Sequence, residues 1–178
     1  MTTDDKTIVA AMHASLQEGL RLLMGKYKAA VYWHIRRLVV SHDDAQDATQ
    51  ETFVRAYRSF DQLKDGSTLR GWLFRIATNE ALRIIERRRG TLSLDDDDGK
   101  ADQIIAGEYV DYSDLESVKL QKAILSLPEK QQIAFNLRYY DELSFAEIAE
   151  ATHSTEGAVK ANFHIAKAKI VNYMNSND

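Results

Sequence analysis

Turn-forming residues are scarce in this chain, and this scarcity constrains its fold more than any other feature. The 178 residues include only 8 glycines and 1 proline. β-Sandwiches and barrels need frequent breaker residues between their short strands, and this chain offers too few of them. The sequence therefore predicts an all-α protein, and a hydrophobic content of 44% is sufficient for a packed core.

Apolar residues recur at spacings of three and four along the first half of the chain, which is the pattern of amphipathic helices. Gly25 is interpreted as a break between the first two helices, and Ser41 offers a capping side chain for the third. A turn-forming stretch over residues 61–68 follows, and Ser67 or Thr68 can cap a long fourth helix. The predicted helices cover residues 8–24, 26–40, 43–59 and 69–89.

An acidic, aperiodic segment separates these helices from a second helical half. Residues 91–118 contain one lysine against nine acidic residues. Segments of low hydrophobicity and high net charge do not build a core of their own. The sequence therefore predicts two small helical domains, over residues 1–90 and 115–178, joined by a flexible acidic linker over residues 91–114. In the second domain, where Pro128 suits the first position of a helix, the predicted helices cover residues 115–127, 129–140, 144–151 and 158–174.

The charge distribution points to a polyanionic partner, although the net charge of the chain is −4. Residues 66–90 carry six arginines against two glutamates. For a nucleic-acid partner, the clustering of positive charge matters more than the average over the chain. The basic end of the fourth predicted helix is therefore a candidate contact for phosphates. A helix C-terminus that simply favours cations is the alternative interpretation.

The segment SFAEIAEATHSTEGAVKANFHIAKAKI, which begins at Ser144, has the pattern of a helix-turn-helix. Ser144 and Thr155 are placed to cap two helices, and His153 occupies the turn, where a residue that tolerates positive φ is favoured. The motif places its second helix in the major groove of DNA. Any two packed helices share this spacing, so a purely structural role stays open. The outer face of the second helix would present Lys160, Ala161, Asn162, His164 and Lys167.

The motifs of enzymes and metal sites are missing from the sequence. The chain has no cysteine, and its five histidines lack the spacing of a metal site. Neither a phosphate-binding glycine loop nor a nucleophile elbow is present, and the run DDDDGK lacks the spacing of a calcium loop. We therefore expect no enzymatic activity, no cofactor and no metal. Without the pattern of a signal peptide or a membrane span, a cytoplasmic location is expected.

Two sets of motifs, taken together, resemble the extracytoplasmic-function group of bacterial sigma factors. The first half matches that group in HDDAQDATQETFVRAYRSF and LRGWLFRIATNEALRIIERRR. The second half matches it in LSLPEKQQIAFNLRYYDELSFAEIAEATHSTEGAVKANFHIAKAKI. These motifs occur in the order of the group's two domains and are separated by its linker.

The resemblance implies a protein that binds core RNA polymerase, through its β′ and β subunits, and directs it to promoter DNA. In the group, the helix that matches residues 43–57 binds the clamp coiled coil of the β′ subunit. An anti-sigma factor is a further partner that the group often uses. The residues at the polymerase-binding positions are Asp47, Gln50, Glu51 and Phe53.

The resemblance also assigns two contacts with DNA. The loop and helix that match residues 61–89 open the minus-ten element and capture an unstacked base, for which Asn79 is the candidate. The helix that matches residues 158–169 recognises the minus-thirty-five element, although many members have arginines where this chain has Asn162 and Ile165. The candidate phosphate contacts near the first element are Arg83, Arg87, Arg88 and Arg89. The candidate contacts with the second element are Lys160, Asn162, His164 and Lys167.

Two other functions are compatible with the sequence. The first is a stand-alone helix-turn-helix regulator, which would form a homodimer and bind DNA without polymerase. The second is a degenerate sigma-like decoy that binds polymerase but not DNA. The thin positive charge on the second helix of the motif favours the decoy, whereas Asn79 and the arginine cluster favour a DNA-binding protein.

Overall fold

The structure is a computed structural model that describes residues 3–63, 68–91 and 115–176. The chain forms two compact units, Met1–Ile85 and Glu86–Asp178. Every regular element in the described ranges is helical, in agreement with the predicted all-α class. The linker and its exact borders stay a prediction, because residues 92–114 lie outside the described ranges. No described helix is long and apolar enough to cross a membrane.

The first two helices meet at Ser15 and not at Gly25, so the predicted break was wrong. Helix α1 spans Asp5–Ala14 and helix α2 spans Leu16–Val39. The Ser15 hydroxyl accepts a hydrogen bond from the Glu18 amide at 3.4 Å and thereby caps α2. Gly25 lies inside α2, because an interior glycine weakens a helix by only about 1 kcal/mol and tertiary packing overrides that preference.

A close approach between α1 and α2 depends on Gly19. A Cβ atom at Gly19 would lie 2.2 Å from Met12 Cγ and 2.5 Å from Met12 Cα. The same pair of helices is joined at Asp5, whose carboxylate accepts a hydrogen bond from the Tyr27 hydroxyl at 2.8 Å. Lys26 Nζ lies 2.6 Å from that carboxylate. Burial and the hydrogen bond to Asp5 raise the pKa of Tyr27 well above its usual range.

Two more helices and a short turn follow, and only the last residues of the second of these helices lie beyond the first unit. Helix α3 spans His42–Arg58, a 3-10 turn spans Phe60–Gln62, and helix α4 spans Leu69–Thr91, two residues beyond its predicted end. Ser41 caps α3, as predicted. At the start of α4, the Thr68 hydroxyl accepts a hydrogen bond from the Gly71 amide at 3.0 Å, and Thr68 is therefore the cap of this helix.

A buried histidine fixes which side of α4 faces α2. His34 Nε2 lies 2.9 Å from Thr78 Oγ1, and the Thr78 hydroxyl donates to the Phe74 carbonyl at 2.7 Å. The Thr78 oxygen can therefore accept a hydrogen bond from the histidine ring. The His34 ring also contacts the Phe74 ring edge-on, at 5.0 Å between centroids. Buried contacts on this side leave Asn79 on a different face of α4.

Four helices form the second unit. They are helix α5 at Leu115–Leu125, helix α6 at Glu129–Tyr139, helix α7 at Phe145–Thr152 and helix α8 at Glu156–Asn175. Helix α6 begins at Glu129, as predicted, and Pro128 is its N-cap residue and not its first helical residue. Helix α8 packs against α5, α6 and α7. The shared core consists of Ala123, Ile124, Leu127, Phe135, Ala166 and Ile170.

Candidate polymerase and nucleic-acid interfaces

The polar face predicted on α3 is present, but its aromatic member belongs to the core. Asp47 and Gln50 are exposed, and Glu51 is half-buried. Their spacings of three and four bring them onto one side of the helix. Phe53 is only 2% exposed and belongs to the core of the first unit. The exposed face itself therefore presents only carboxylate and amide groups, which suit a basic partner helix.

A groove of about 880 Å³ adjoins this face and is bordered by α2 and α3. Asp47 and Gln50 line it together with Trp33, which is 43% exposed. The Tyr32 hydroxyl lies 2.6 Å from His42 Nδ1, and the Tyr32 and Trp33 rings meet edge-on at 5.1 Å. Sequence reasoning missed these aromatic residues, because apolar side chains surround all faces of α2 here and the spacing does not show which of them is exposed.

A second cavity, of about 350 Å³, lies beside Asn79. Asn79 is half-buried and lines the cavity with Arg83 and with residues from the end of α3 and the 3-10 turn. An asparagine amide offers both a donor and an acceptor to a base edge. The cavity therefore places the Asn79 amide beside three arginines, Arg55, Arg58 and Arg83, and two glutamates, Glu51 and Glu80.

One buried carboxylate organises the charges around this cavity. Glu80 is 6% exposed, and its Oε1 lies 2.5 Å from Arg55 Nε and 3.1 Å from Arg83 Nη1. Glu51 Oε1 lies 3.4 Å from the same Arg55 nitrogen. The Arg83 charge is thus partly neutralised, although its side chain is 49% exposed. Sequence reasoning missed Glu80 and Arg55 because the pairing joins two helices that are distant in the chain.

The remaining arginines predicted to follow phosphates lie in the last turns of α4. Arg87 is exposed and Arg88 is half-buried. The side chain of Arg89 lies outside the described part of the structure, as does the acidic run DDDDGK. Among the residues that the structure describes, no group of three or more His, Asp or Glu could hold a metal ion.

The helix-turn-helix forms as the sequence predicts. Ser144 and Glu147 make a reciprocal capping box at the start of α7. His153 takes the left-handed conformation in the turn, with φ 55° and ψ 40°. The Thr155 hydroxyl accepts a hydrogen bond from the Ala158 amide at 3.1 Å and caps α8. These local contacts fix where α8 begins, and the outer face of this helix is exposed.

The predicted contact residues of α8 differ in exposure. Lys160, His164 and Lys167 are exposed, whereas Asn162 is half-buried. Lys160 Nζ lies 3.9 Å from Glu156 Oε1 and 5.8 Å from the centroid of the Phe145 ring.

Phe145 connects α8 to a cation that sequence reasoning missed. The Arg138 guanidinium lies 4.8 Å from the Phe145 ring centroid, and its Nη1 donates to the Leu143 carbonyl at 3.1 Å. A turn separates the two residues in the chain, so no helical spacing could have paired them. The Arg138 and Lys160 cations therefore both lie close to the Phe145 ring, near the start of α8.

Comparison with known proteins identifies the class to which this arrangement belongs. The models of sigma-70 region 2 and sigma-70 region 4 match residues 23–91 and 117–170. The ECF RNA polymerase sigma factor SigW of Bacillus subtilis is 30% identical over 158 residues, which cover 83% of this chain and 84% of SigW. The ECF RNA polymerase sigma-E factor of Escherichia coli is 31% identical over 178 residues, which cover 94% of this chain and 93% of that protein.

Two solved structures share the fold. CnrH in complex with the cytosolic domain of CnrY has a TM-score of 0.71 and 19% identity, and the match covers 98% of this chain and 99% of CnrH. The sigma factor RpoE in complex with the anti-sigma factor NepR, from Bartonella quintana, has a TM-score of 0.71 and 22% identity. That match covers 89% of this chain and 98% of RpoE.

Two helical units that match regions 2 and 4, the second with a helix-turn-helix, define a sigma factor of the sigma-70 type. Within that class, the chain belongs to the ECF RNA polymerase sigma factors. It is a factor that directs transcription initiation, and its family is not a class of enzymes.

Proposed function

We propose that this sigma factor acts through three separate surfaces: the exposed face of α3 for core polymerase, the cavity beside Asn79 for an unstacked promoter base, and the outer face of α8 for duplex DNA. The observation that supports this proposal most directly is that the three surfaces carry different charged and polar groups. Acidic and amide groups lie on α3, whereas basic and amide groups lie on α4 and α8. One polyanion could not bind all three surfaces.

The α3 face suits a basic helical partner. Asp47 and Gln50 are exposed, Glu51 lies beside them, and Phe53 is buried in the core. Exposed carboxylates of this kind steer and orient a cationic partner more than they add affinity. The β′ clamp of core polymerase is the partner we assign to this face. Because polymerase and promoter DNA are the partners, we place the protein in the cytoplasm.

The cavity beside Asn79 suits a single unstacked base. Its volume of about 350 Å³ leaves room for one base, and the Asn79 amide can bond to the base edge. Arg83 and the arginines of the last turns of α4 supply positive charge for the adjoining backbone. Glu80 holds Arg83 in position, so Glu80 is a positioning residue for this cavity.

The third surface carries the contacts with the minus-thirty-five element. Lys160 and Lys167 are two helical turns apart on α8 and both are exposed, so both can reach one wall of a major groove. His164 is exposed near them, and Asn162 lies further round the helix. An anti-sigma factor is a further partner that we propose, since RpoE, which shares this fold, forms a complex with one.

Variants that separate the three steps test this proposal. Asp47→Lys should weaken the affinity for core polymerase at least tenfold, whereas Glu18→Lys, an equal charge change on α2, should not. Asn79→Ala should bind core polymerase normally but fail to open the promoter, measured by permanganate reactivity of unpaired thymines. Lys160→Ala should weaken promoter binding before opening, and Lys122→Ala on α5 should not. Loss of core binding in the Asn79→Ala or Lys160→Ala variant would contradict the separation.

A further inference from the structure

Helix α1 belongs to none of the three surfaces proposed above, and it precedes the match to sigma-70 region 2, which begins at residue 23. It is nevertheless held firmly against α2. Met12 is 2% exposed, and the two helices approach so closely there that a Cβ at Gly19 would lie 2.5 Å from Met12 Cα. At the first residue of α1, the Asp5 carboxylate accepts a hydrogen bond from the Tyr27 hydroxyl at 2.8 Å. Helix α1 can therefore serve as a fixed support for whatever its free side contacts.

The last turn of α1 contacts the 3-10 turn that follows α3. The rings of His13 and Phe60 meet edge-on, at 4.9 Å between centroids and 61° between planes. An edge-on approach at this distance is a favoured geometry for two aromatic rings. His13 is exposed and Phe60 is half-buried, so the contact lies at the surface of the first unit. It joins a firmly held helix to a turn of only three residues.

This 3-10 turn forms part of the wall of the cavity beside Asn79. Ser59, which precedes the turn, and Gln62, which ends it, both line the cavity. The Gln62 amide donates to the Ser59 carbonyl at 2.9 Å, and the Leu63 amide donates to the Phe60 carbonyl at 3.0 Å. These bonds close the turn on itself, so a displacement of Phe60 would also displace Gln62. Because so short a 3-10 segment has few hydrogen bonds of its own, its position depends on contacts with its neighbours.

We propose that His13 is a positioning residue for the cavity beside Asn79. By packing against Phe60, it holds the 3-10 turn, and with it Gln62, at the distance from α4 that one unstacked base requires. The described lining of the cavity does not include His13, so this residue acts through the turn and not on the base. The inference rests on the proposed role of the cavity and goes beyond it, because it gives α1 a part in promoter opening.

The test uses the full chain bound to core polymerase and single strands of a promoter that the factor opens. In each strand, one base of the proximal element is replaced by an abasic site. The strand that lacks the captured base should bind more weakly than the intact strand, and the ratio of the two affinities measures the contribution of the cavity. His13→Ala should lower this ratio by about twofold to tenfold, the range that corresponds to the loss of one aromatic contact.

Two other variants of α1 distinguish positioning from a general effect on stability. Lys6→Ala truncates another exposed side chain of the same helix and should leave the ratio unchanged. His13→Phe keeps an aromatic ring opposite Phe60 and should retain most of the ratio, a rescue that a role of His13 in helix stability alone would not produce. None of the three variants should change the affinity for core polymerase.

A double-mutant cycle gives a second measurement. Phe60→Ala should lower the ratio at least as much as His13→Ala, and adding His13→Ala to it should have no further effect, because the contact is already lost. If Phe60→Ala does not fold, the comparison of His13→Ala with His13→Phe decides the question by itself.

Three results would overturn the inference while leaving the sigma function intact. The first is a ratio in His13→Ala equal to that in Lys6→Ala, and the second is an equal loss of ratio in His13→Ala and His13→Phe. The third is a loss of affinity by the same factor for intact and abasic strands in His13→Ala, which would show that α1 only stabilises the first unit. If the unsubstituted chain binds intact and abasic strands equally well, the proposed role of the cavity itself fails and the inference falls with it.

Discussion

Two glycines in α2 should respond in opposite ways to the same substitution. In Gly19→Ala, the new Cβ would lie 2.2 Å from Met12 Cγ, 2.5 Å from Met12 Cα and 2.6 Å from Met12 N. A rotamer change can move the first atom, but the other two belong to the backbone of α1, so the whole helix must shift. Such overpacking costs about 3 kcal/mol, and the better helix propensity of alanine offsets about 1 kcal/mol of that. The free energy of unfolding should therefore fall by about 2 kcal/mol.

Gly25→Ala is the matched control in the same helix. Apart from its two chain neighbours and the adjoining backbone of α2, no atom lies within 4 Å of a Cβ built at Gly25. The substitution therefore adds helix propensity without a clash and should raise the free energy of unfolding by about 0.5–1 kcal/mol.

Urea unfolding followed by tryptophan fluorescence measures both effects. The only two tryptophans of the chain are Trp33 and Trp72, and both lie in the first unit, so the signal reports on the unit that contains the substitutions. The midpoint should move down for Gly19→Ala and up for Gly25→Ala, with equal slopes. Movement in the same direction for both variants would refute the packing argument.

Three further predictions concern pairs and strain in the structure. Burial and the hydrogen bond to Asp5 raise the pKa of Tyr27. The stability that Tyr27 contributes should therefore be complete below about pH 10 and decline as the pH rises further. In unfolding measurements at a series of pH values, Tyr27→Phe should remove the part of this decline that is due to Tyr27. Glu80→Gln should lower the free energy of unfolding of the first unit by about 1–2 kcal/mol. This value is below that of a fully buried ion pair, because both arginine partners are partly exposed. A double-mutant cycle with Arg55→Met that shows no coupling energy would contradict this prediction. His153→Gly should relieve left-handed backbone strain in the second unit. The thermal midpoint of this unit, measured by circular dichroism, should rise by the equivalent of about 1 kcal/mol. A lower midpoint would contradict the presence of strain.

Features set by neighbouring residues could be predicted from the sequence. The caps at Ser41, Thr68, Ser144 and Thr155 depend on contacts within three residues, and all four form. The left-handed turn at His153 is local in the same sense. The all-α class follows from composition, and the two-unit sigma architecture agrees with the predicted resemblance.

Features set by distant residues could not be predicted in the same way. The close approach of α1 to Gly19 across the break at Ser15 is one such feature, because no helical spacing reveals it. The pairing of Glu80 with Arg55 joins α4 to α3, and the stacking of Arg138 on Phe145 crosses a turn. The roles of individual residues toward polymerase and DNA stay predictions, because they depend on partners outside the chain.

Reconstituted transcription is the measurement that tests the sigma function most directly. The purified chain is added to bacterial core polymerase with genomic promoter fragments, and the 5′ ends of the transcripts are mapped. We expect the chain to co-elute with core polymerase and to start transcripts at a small set of defined positions that are silent with core polymerase alone. Binding to core polymerase without any defined start, or binding to duplex DNA as a dimer without polymerase, would contradict a promoter-directing role.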